Sequence, residues 1–401
     1  MRVLLLNQYF HPDLAPTAQL ATDVGAELAR RGHEVTALAS ARPYSGDGWR
    51  ALSEDHAGMR IVRVPATALG RTTRLGRAID YASFAGAVLP RLFLRRRPHI
   101  IVALSTPPLV AGLGLLVKQL RDSRFVYWVM DVYPELAVEL GVLSPGSPAA
   151  RALGALSRAL YTHADAVVAL DDAMRARLVA AGADPARVEV IDNWVEDGLC
   201  PVERAGSPLR QTLGLGDRFT LSYSGNMGLG HDFHTLTDAM ARLADLDLAW
   251  LFIGDGPRKA ALSERVRALG LRHVTFLPYR PRDELSASYG AADASIVSLE
   301  ARLSGLLAPS KLYAVLAAGR PVVYVGPPDG RTAEVIAAHE VGVAARNGDG
   351  AGLADAIRGL HADPDARAAM GRRARSLFEA RFTRARAVGR HADLLERVAC
   401  S

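Results

Sequence analysis

The hydrophobic pattern of this 401-residue chain alternates short apolar runs with longer segments of helical spacing. RVLLLN at the start and IIVALS near residue 100 are apolar throughout their middles, as expected for strands buried on both faces. Between them, residues 17–31 place Leu20, Val24 and Leu28 on one side of a helix. Repeated units of this kind predict parallel sheets that are covered by helices on both faces.

Two series of such units follow one another. The first contains RVLLLN, HEVTALAS, MRIVRV, IIVALS, RFVYWVMD, AVVAL and VEVID; the second contains RFTLSYSG, LAWLFIG, VTFL, ASIVSL and PVVYVG. A polar connector, NWVEDGLCPVERAGSP, separates them, and residues 364–398 read as helical and strand-free. We expect an α/β protein with two Rossmann-like, doubly wound domains, residues 1–197 and 198–380, that face each other across a cleft. A final helix, residues 381–401, would pack back toward the first domain. Ligands of such sheets bind at the carboxyl ends of the strands.

Composition narrows the class of protein. The chain is 49% hydrophobic, long enough for two cores, and its two cysteines, Cys200 and Cys400, have no metal or redox spacing. We therefore expect a cytoplasmic protein with reduced thiols. Residues 100–117 carry no charge, but Ser105-Thr106-Pro107-Pro108 interrupts them, which predicts a strand, a turn and a helix rather than a membrane span.

The net charge of +6 is unevenly distributed. Twelve basic residues between positions 60 and 124 are opposed only by Asp80 and Asp122: Arg60, Arg63, Arg71, Arg74, Arg77, Arg91, Arg95, Arg96, Arg97, Lys118, Arg121 and Arg124. Such clustering attracts phosphate-rich partners. No zinc-finger or aromatic RNA-binding signature is present, so an anionic membrane is favoured over nucleic acid. The amphipathic stretch ending RLFLRRRP is equally compatible with a lipid-facing helix and with a solvated one.

A strand–loop–helix unit in the second half predicts an anion site. Gly305, Pro309, Ser310 and Lys311 precede a short apolar helix, about residues 312–318, and Gly319 ends it. Backbone N–H groups, a hydroxyl and a lysine at one helix start suit a diphosphate. Alternatively, Ser310 only caps the helix and Lys311 is solvated.

Glycine-rich turns after two strands allow a similar pair of interpretations. GNMGLGHD contains Gly225, Gly228 and Gly230, and GDGP follows another strand. Each is either a tight turn or a close approach of backbone to a nucleotide phosphate. The glycine spacing does not fit a dinucleotide fingerprint, which disfavours an oxidoreductase.

These residues carry a family resemblance along nearly the whole chain. The segments are YFHPDLAPTAQLATDVGAELARRGHEVTALA, ALSTPPLVAGLGLL, YWVMDVYPELAVELGVL, ADAVVALDDAMRARL, VIDNWVEDG, YSGNMGLGHDF, IGDGPRKAAL and APSKLYAVLAAGRPVVYVGPPDG. Together they resemble retaining glycosyltransferases of family 4, which have the GT-B fold. They are most similar to enzymes of bacterial surface polysaccharides, such as colanic-acid and O-antigen fucosyl- or N-acetylfucosaminyltransferases.

The resemblance assigns candidate site residues. Donor binding would involve Ser224, Gly225, Asn226, Gly228, Gly254, Asp255, Gly256, Arg258, Pro278, Tyr279, Pro309, Ser310, Lys311 and Leu312. Acceptor binding would involve His11, Asp13, Thr17, Ser105 and Asp131, and the catalytic candidates are Asp131, Lys311, Glu135 and His11. Many relatives carry two glutamates at the positions of Leu306 and Ala314, so the contact to the ribose has no candidate here. Arg258 and Arg331 are secondary cations for the diphosphate.

The function implied is transfer of a sugar, with retention, from a UDP-sugar or a GDP-sugar to a saccharide acceptor, such as one linked to polyprenyl diphosphate. No cofactor or metal is expected, and no nucleic acid; the protein would associate peripherally with the inner face of the plasma membrane. Two alternatives remain: a nucleotide-sugar 2-epimerase of the same fold, and a non-catalytic scaffold that binds a nucleotide-sugar.

Overall fold

The computed structural model describes residues 1–69, 73–108 and 110–400, so Arg71 of the basic stretch lies outside the described residues. The chain forms two compact units. Unit 1 comprises residues 1–192, 305–307 and 385–401, and unit 2 comprises residues 193–304 and 308–384. The main division falls at residue 192, five residues before the expected boundary at 197.

Unit 1 is built on one sheet. Its strands are β1 (Arg2–Leu6), β2 (Glu34–Ser40), β3 (Ser53–His56), β4 (Met59–Val64), β5 (Ile100–Leu104), β6 (Arg124–Trp128), β7 (Ala166–Ala169) and β8 (Val188–Val190). Its helices up to residue 192 are α1 (Pro16–Arg30), α2 (Arg74–Leu94), α3 (Ala111–Arg121), α4 (Glu135–Glu139), α5 (Pro148–His163) and α6 (Asp172–Ala180). All five residues of β5 are buried, as the apolar pattern predicts for a strand with helices on both sides.

The strand order in unit 1 is β3-β4-β2-β1-β5-β6-β7-β8. After β1 the chain first adds β2 on one side of it. The later strand β5 pairs with β1 on the other side, with Leu4 in register with Ile101. The carboxyl ends of β1 and β5 therefore mark a topological switch point, where ligands of doubly wound sheets bind. One strand of unit 1 was not predicted: β3 is a polar edge strand that pairs antiparallel to β4, and its sequence, SEDH, has no apolar pattern.

Unit 2 repeats this plan with a sheet of order β11-β10-β9-β12-β13-β14. The strands are β9 (Phe219–Ser224), β10 (Leu248–Ile253), β11 (Val274–Leu277), β12 (Ala294–Ser298), β13 (Val322–Val325) and β14 (Gly342–Ala345). The helices are α7 (Pro208–Thr212), α8 (Phe233–Arg242), α9 (Lys259–Ala268), α10 (Leu285–Gly290), α11 (Lys311–Ala317), α12 (Arg331–His339), α13 (Gly350–Ala362) and α14 (Pro364–Leu377). The switch point here lies between β9 and β12.

A buried cluster of large side chains stabilises unit 2. Tyr223 and Phe252, on neighbouring strands, pack with Phe233 of α8, with ring centroids 5.1 to 6.3 Å apart. Tyr223 and Phe252 are the next-to-last residues of β9 and β10, and the Tyr223 hydroxyl donates to the carbonyl oxygen of Asn226 in the loop after β9 at 2.6 Å. The strand β14 was not predicted, because its short GVAA sequence gives little strand signal.

The last helix, α15 (Arg384–Cys400), belongs to unit 1 from residue 385 onward. Arg31 of unit 1 donates to Asp393 at 2.7 Å and to Glu396 at 3.0 Å. His391 is buried, with its ring centroid 4.1 Å from that of Trp128.

Among the described residues, no helix is both long and apolar enough to span a membrane.

Candidate functional site

The two glycine loops of unit 2 pack directly on each other. Gly225 follows β9 and donates its N–H to the carbonyl oxygen of Ile253 at 2.8 Å, and Met227 donates to that of Asp255 at 2.8 Å. Gly254 has φ +127°, and a Cβ there would lie 2.2 Å from the carbonyl oxygen of Gly225. Glycine at 254 is therefore required by the backbone itself, which supports the tight-turn interpretation. The loops also form a backbone-lined surface next to Lys311.

Lys311 begins α11 and extends over this surface. Its Nζ lies 3.2 Å from the carbonyl oxygen of Asn226, to which it donates, and 4.9 Å from the centroid of the Tyr223 ring. A Cβ on Gly225 would lie 2.9 Å from Cε of Lys311, so this glycine makes room for the lysine stem. Burial lowers the pKa of Lys311 to about 8. Lys311 is partly buried and its Nζ donates to the carbonyl oxygen of Asn226, so the structure does not favour the alternative of a freely solvated lysine.

His231 is a site residue that the sequence analysis missed. Its Nδ1 lies 2.7 Å from the carbonyl oxygen of Ser298, at the end of β12, so Nδ1 carries the proton. Its Nε2 is then an acceptor and lies 3.3 Å from Nζ of Lys311. Burial, followed by the charge of Lys311, lowers the pKa of His231 to about 3. The only sequence signal was its position in the GNMGLGHD segment.

These contacts cross the switch point of unit 2. His231 comes from the loop after β9, Ser298 ends β12, and Lys311 lies on the helix that follows β12. Among the described residues, no carboxylate pairs with Lys311. A partly buried ammonium that is held by a carbonyl and a neutral imidazole keeps an uncompensated positive charge, which suits an anionic ligand.

The two secondary cations already have acidic partners. Arg258 Nη2 lies 3.0 Å from Oε1 of Glu300, and Arg331 Nη1 lies 3.1 Å from Oε2 of Glu334. A paired guanidinium has less charge to offer a diphosphate than Lys311 has. The prediction that ranked Lys311 first among the cations is consistent with this arrangement.

The structure places the two candidates at the start of α11 differently. Ser310 occupies the N-cap position, but its exposed side chain makes no capping hydrogen bond, so the capping alternative is wrong and a contact to the diphosphate stays a prediction. Leu312 is 1% exposed, and its backbone N–H donates to the carbonyl oxygen of Pro309 at 3.3 Å. Leu312 therefore packs in the core and offers no group to a donor, because the first turn of the short helix uses its N–H.

The other donor candidates surround the glycine loops. Ser224 ends β9, and Asn226 and Asp255 are exposed. Tyr279 is 57% exposed and its hydroxyl lies 3.4 Å from the carbonyl oxygen of Asp255. Pro278, next to it, is also exposed. These positions form one rim of loops after β9, β10 and β11.

Asp131 of unit 1 lies three residues beyond the end of β6, rather than at its last residue as predicted. It forms an isolated antiparallel bridge with Leu307, and Val132 donates to the carbonyl oxygen of Leu306 at 2.9 Å. Burial raises the pKa of Asp131 to about 6. No described residue donates a hydrogen bond or an ion pair to its carboxylate.

Ser105, a predicted acceptor contact, also needs correction. Its hydroxyl is buried and accepts the backbone N–H groups of Met130 and Asp131, each at 3.1 Å. It therefore positions the backbone of Asp131 and is not available to an acceptor sugar. Glu135, by contrast, begins α4 and is exposed.

Asp13 and Thr17, two candidates that follow β1, accept hydrogen bonds from neighbouring groups of unit 1. Asp13 is buried and accepts from the N–H of Tyr44 and from Arg50 Nη2, both at 3.2 Å. Thr17 accepts from Asn7 at 3.2 Å. Each side chain thus has a structural partner close by.

His11 forms a cluster with Glu54 and His56. The two imidazole rings stack with centroids 3.5 Å apart, and ligand atoms of the three residues lie within 4.8 Å of one another. Arg63, which is 2% exposed, pairs with Glu54 at 2.7 Å. Burial, followed by the charge of His56, lowers the pKa of His11. A guanidinium that already occupies the carboxylate disfavours a metal cation here.

The family follows from comparison with known proteins. Residues 17–194 match the family described as Glycosyl transferase 4-like domain, and residues 218–363 match Glycosyl transferases group 1. Sucrose-phosphate synthase from Thermosynechococcus elongatus has the same fold, with a TM-score of 0.79 at 19% identity over 100% of both chains. This chain is a glycosyltransferase of the GT-B fold. The expected fold is therefore confirmed.

Two further comparisons describe what the glycosyltransferase is similar to. WcaI of Escherichia coli strain K12, named for colanic acid biosynthesis, is 27% identical over 335 residues, which cover 80% of this chain and 82% of WcaI. HepE of Anabaena, solved in complex with UDP and glucose, has a TM-score of 0.75 at 18% identity, covering 99% of this chain and 100% of HepE.

Proposed function

We propose that this glycosyltransferase moves a sugar, with retention of configuration, from a UDP-sugar to a saccharide acceptor carried on a lipid, in bacterial surface polysaccharide synthesis. The observation that carries the proposal is Lys311, a partly buried ammonium without a carboxylate partner among the described residues. HepE, which shares the fold, is solved with UDP, and WcaI is named for a polysaccharide pathway. Both support this choice of donor and product.

In this proposal Lys311 stabilises the leaving diphosphate. The bond between the anomeric carbon and the diphosphate oxygen breaks, and its electron pair stays on that oxygen. A cation aimed at the developing charge is among the largest contributions to such a step. His231 accepts from Nζ and Asn226 offers its carbonyl oxygen, so the ammonium is held in place before the donor arrives.

The acceptor hydroxyl forms the new bond on the face that the diphosphate leaves, and its proton passes to the leaving phosphate oxygen. No dedicated base is then needed. We assign Asp131 to orienting the acceptor and to supporting positive charge at the anomeric carbon. With a pKa of about 6, its carboxylate is largely ionised at pH 7.

The experiment is a donor panel with product analysis. UDP-glucose, UDP-N-acetylglucosamine, UDP-N-acetylfucosamine and GDP-fucose are titrated by calorimetry, and the panel tests the fucosyl and N-acetylfucosaminyl subgroup directly. Each donor that binds is incubated with polyprenyl-diphosphate-linked saccharides. NMR of the product should show the anomeric configuration of the donor. An inverted product would contradict retention, and an epimerised nucleotide-sugar formed without acceptor would identify an epimerase.

We also propose that α2 lies on an anionic membrane. Phe84, Val88 and Leu92 are buried, yet Leu75 and Leu94 are 73% and 85% exposed on the same helix. Exposed leucines on a basic helix are typical of interfacial helices. Leu94→Ser should weaken co-sedimentation with anionic vesicles by roughly tenfold, the value of about one buried leucine. Leu120→Ser, which changes a 65% exposed leucine on α3, is the matched control; equal losses would contradict a specific role for α2.

A further inference from the structure

A basic pocket lies at the amino ends of the first strands of unit 1, at the edge of the sheet opposite the loops of His11 and Asp131. Its volume is about 200 Å³. The polar side chains in its lining are Arg2, Glu34, Thr36, Arg91, Arg95 and Arg96. Arg2 begins β1, Glu34 begins β2, and Arg91 lies in the last turn of α2. The site therefore shares no residue with the donor or acceptor candidates.

The charges in this pocket are unbalanced. Four arginines against one glutamate leave an excess of three positive charges in the lining. A fifth arginine, Arg60, is in register with Thr36 on the adjacent strand. Burial lowers the pKa of Arg95, and the charges of Arg60 and Arg91 lower it further. Neighbouring like charges destabilise the folded protein unless an anion compensates them.

Two of the four lining arginines, Arg95 and Arg96, have N–H groups that are free for a ligand, whereas Arg2 and Arg91 each use one donor within the protein. Arg2 Nε donates to the carbonyl oxygen of Arg97 at 2.8 Å, and Arg91 Nη1 donates to that of Ala87 at 3.2 Å. The structure gives the side chains of Arg95 and Arg96 no hydrogen-bond or ion-pair partner within residues 1–69, 73–108 and 110–400. Planar guanidinium groups with free N–H forks match the oxygens of phosphate.

We propose that this basic pocket binds a phosphate group of the monoester or diphosphate type. Phe93 and Leu94, 37% and 85% exposed, precede Arg95 directly, so apolar surface adjoins the pocket. This neighbourhood favours a lipid headgroup over a soluble phosphate compound as the source. The proposal goes beyond sugar transfer and does not depend on it.

The test compares two neighbouring arginines. Arg95 lines the pocket, whereas Arg97 does not and pairs with Asp122 at 2.7 Å. Arg95→Gln and Arg97→Gln each remove one positive charge two positions apart. The full-length variants are titrated with phosphatidylcholine vesicles that contain phosphatidic acid, a phosphomonoester, or phosphatidylglycerol, a diester, at matched surface charge.

We expect the parent to prefer phosphatidic acid and Arg95→Gln to weaken that binding about tenfold. Arg97→Gln should leave the preference unchanged. A diffuse surface attraction would cost about fivefold for either arginine and would not distinguish the two lipids; that pattern would overturn the proposal. Arg96→Gln, a second and exposed lining residue, repeats the test if Arg95→Gln unfolds at lower temperature than the parent.

A soluble probe distinguishes the sources of the phosphate. Inorganic pyrophosphate is titrated by calorimetry into the Lys311→Met variant, so that the proposed donor site does not contribute. Binding that is lost in Lys311→Met/Arg95→Gln supports the pocket, and binding without vesicle association assigns it to soluble phosphate compounds. Absence of both overturns the proposal, whether or not the chain transfers sugar.

Discussion

Each of the two units has one partly buried charge near the carboxyl end of its sheet that lacks an ionic partner among the described residues, and the two charges have opposite sign. In unit 2 the group is Lys311, and burial lowers its pKa to about 8. In unit 1 it is Asp131, and burial raises its pKa to about 6. In both cases the protein disfavours the charged form, as it does where a ligand is to supply the missing interaction.

The surroundings of the two charges differ. Around Lys311 the partners are backbone and glycine, with a neutral imidazole from His231. In unit 1 the other candidates are committed to their own structure, since Asp13 binds Arg50 and Ser105 holds the backbone of Asp131. A polar residue alone therefore does not mark a site, whereas a partly buried charge without an ionic partner does.

The largest effect on stability should come from a substitution at Gly254, in one of the two packed glycine loops of unit 2. At Gly254→Ala the new Cβ meets the carbonyl oxygen of Gly225, and φ +127° is unfavourable for alanine. We expect a loss of about 3 kcal/mol or more in the free energy of unfolding. Gly359→Ala on α13 is the control, because nothing lies within 4 Å of its Cβ, and alanine there should stabilise the helix by about 1 kcal/mol or less. Denaturant unfolding measures both, and equal stabilities would contradict the packing role of Gly254.

Removing the carboxylate charge of Asp131 in unit 1 should affect turnover rather than donor binding. Asp131→Asn keeps the size of the side chain, and we expect kcat to fall about a hundredfold, near 2.7 kcal/mol, with donor affinity close to normal. Steady-state kinetics and calorimetry test this. Glu135→Gln, on an exposed carboxylate, should have little effect. A donor affinity that falls together with kcat would place Asp131 in the donor site or the fold instead.

Removing the ammonium charge of Lys311 in unit 2 should affect donor binding directly. Lys311→Met keeps the stem but loses the ammonium, and donor affinity should fall by about 1.5–3 kcal/mol. Lys311→Arg, which keeps the charge, should retain more of that affinity. Calorimetric titration with the nucleotide-sugar measures both variants, and an unchanged affinity in folded Lys311→Met would exclude Lys311 from the site.

The smallest effect is the pH dependence of donor affinity. Because the pKa of Lys311 is about 8, below the usual 10.5, the lysine loses its proton as pH rises through 8. The diphosphate favours the charged form, so affinity should decline above pH 8, by at most about tenfold per pH unit. His231, with a pKa of about 3, stays neutral throughout. Lys311→Arg should abolish the decline between pH 7 and pH 9, and a decline that persists in this variant would assign the titration to another group.

The stability contribution of the same lysine has a definite sign. Since its pKa is lower in the folded protein than in the unfolded chain, its contribution to stability is present above pH 10.5 and is lost as pH falls through 8. A bound diphosphate offsets this loss, so the donor should stabilise the parent more at pH 7 than at pH 9.

The sequence by itself determined the two α/β units, because fully buried parallel strands demand continuous apolar runs such as β5 and β10. It also singled out Lys311 and Asp131, since both follow such strands. It did not predict the polar edge strand β3, which owes its place to pairing with β4 and not to its own residues.

Only the tertiary structure decided which polar groups are free. Ser105 and Lys311 are both candidate site residues in the sequence, yet the hydroxyl of Ser105 is occupied by two backbone N–H groups and the ammonium of Lys311 is left without a counter-charge among the described residues. His231 meets Lys311 across 80 residues of chain. Whether a polar side chain finds a hydrogen-bond or ionic partner depends on distances between strands that are far apart in sequence, and the local sequence pattern does not encode those distances.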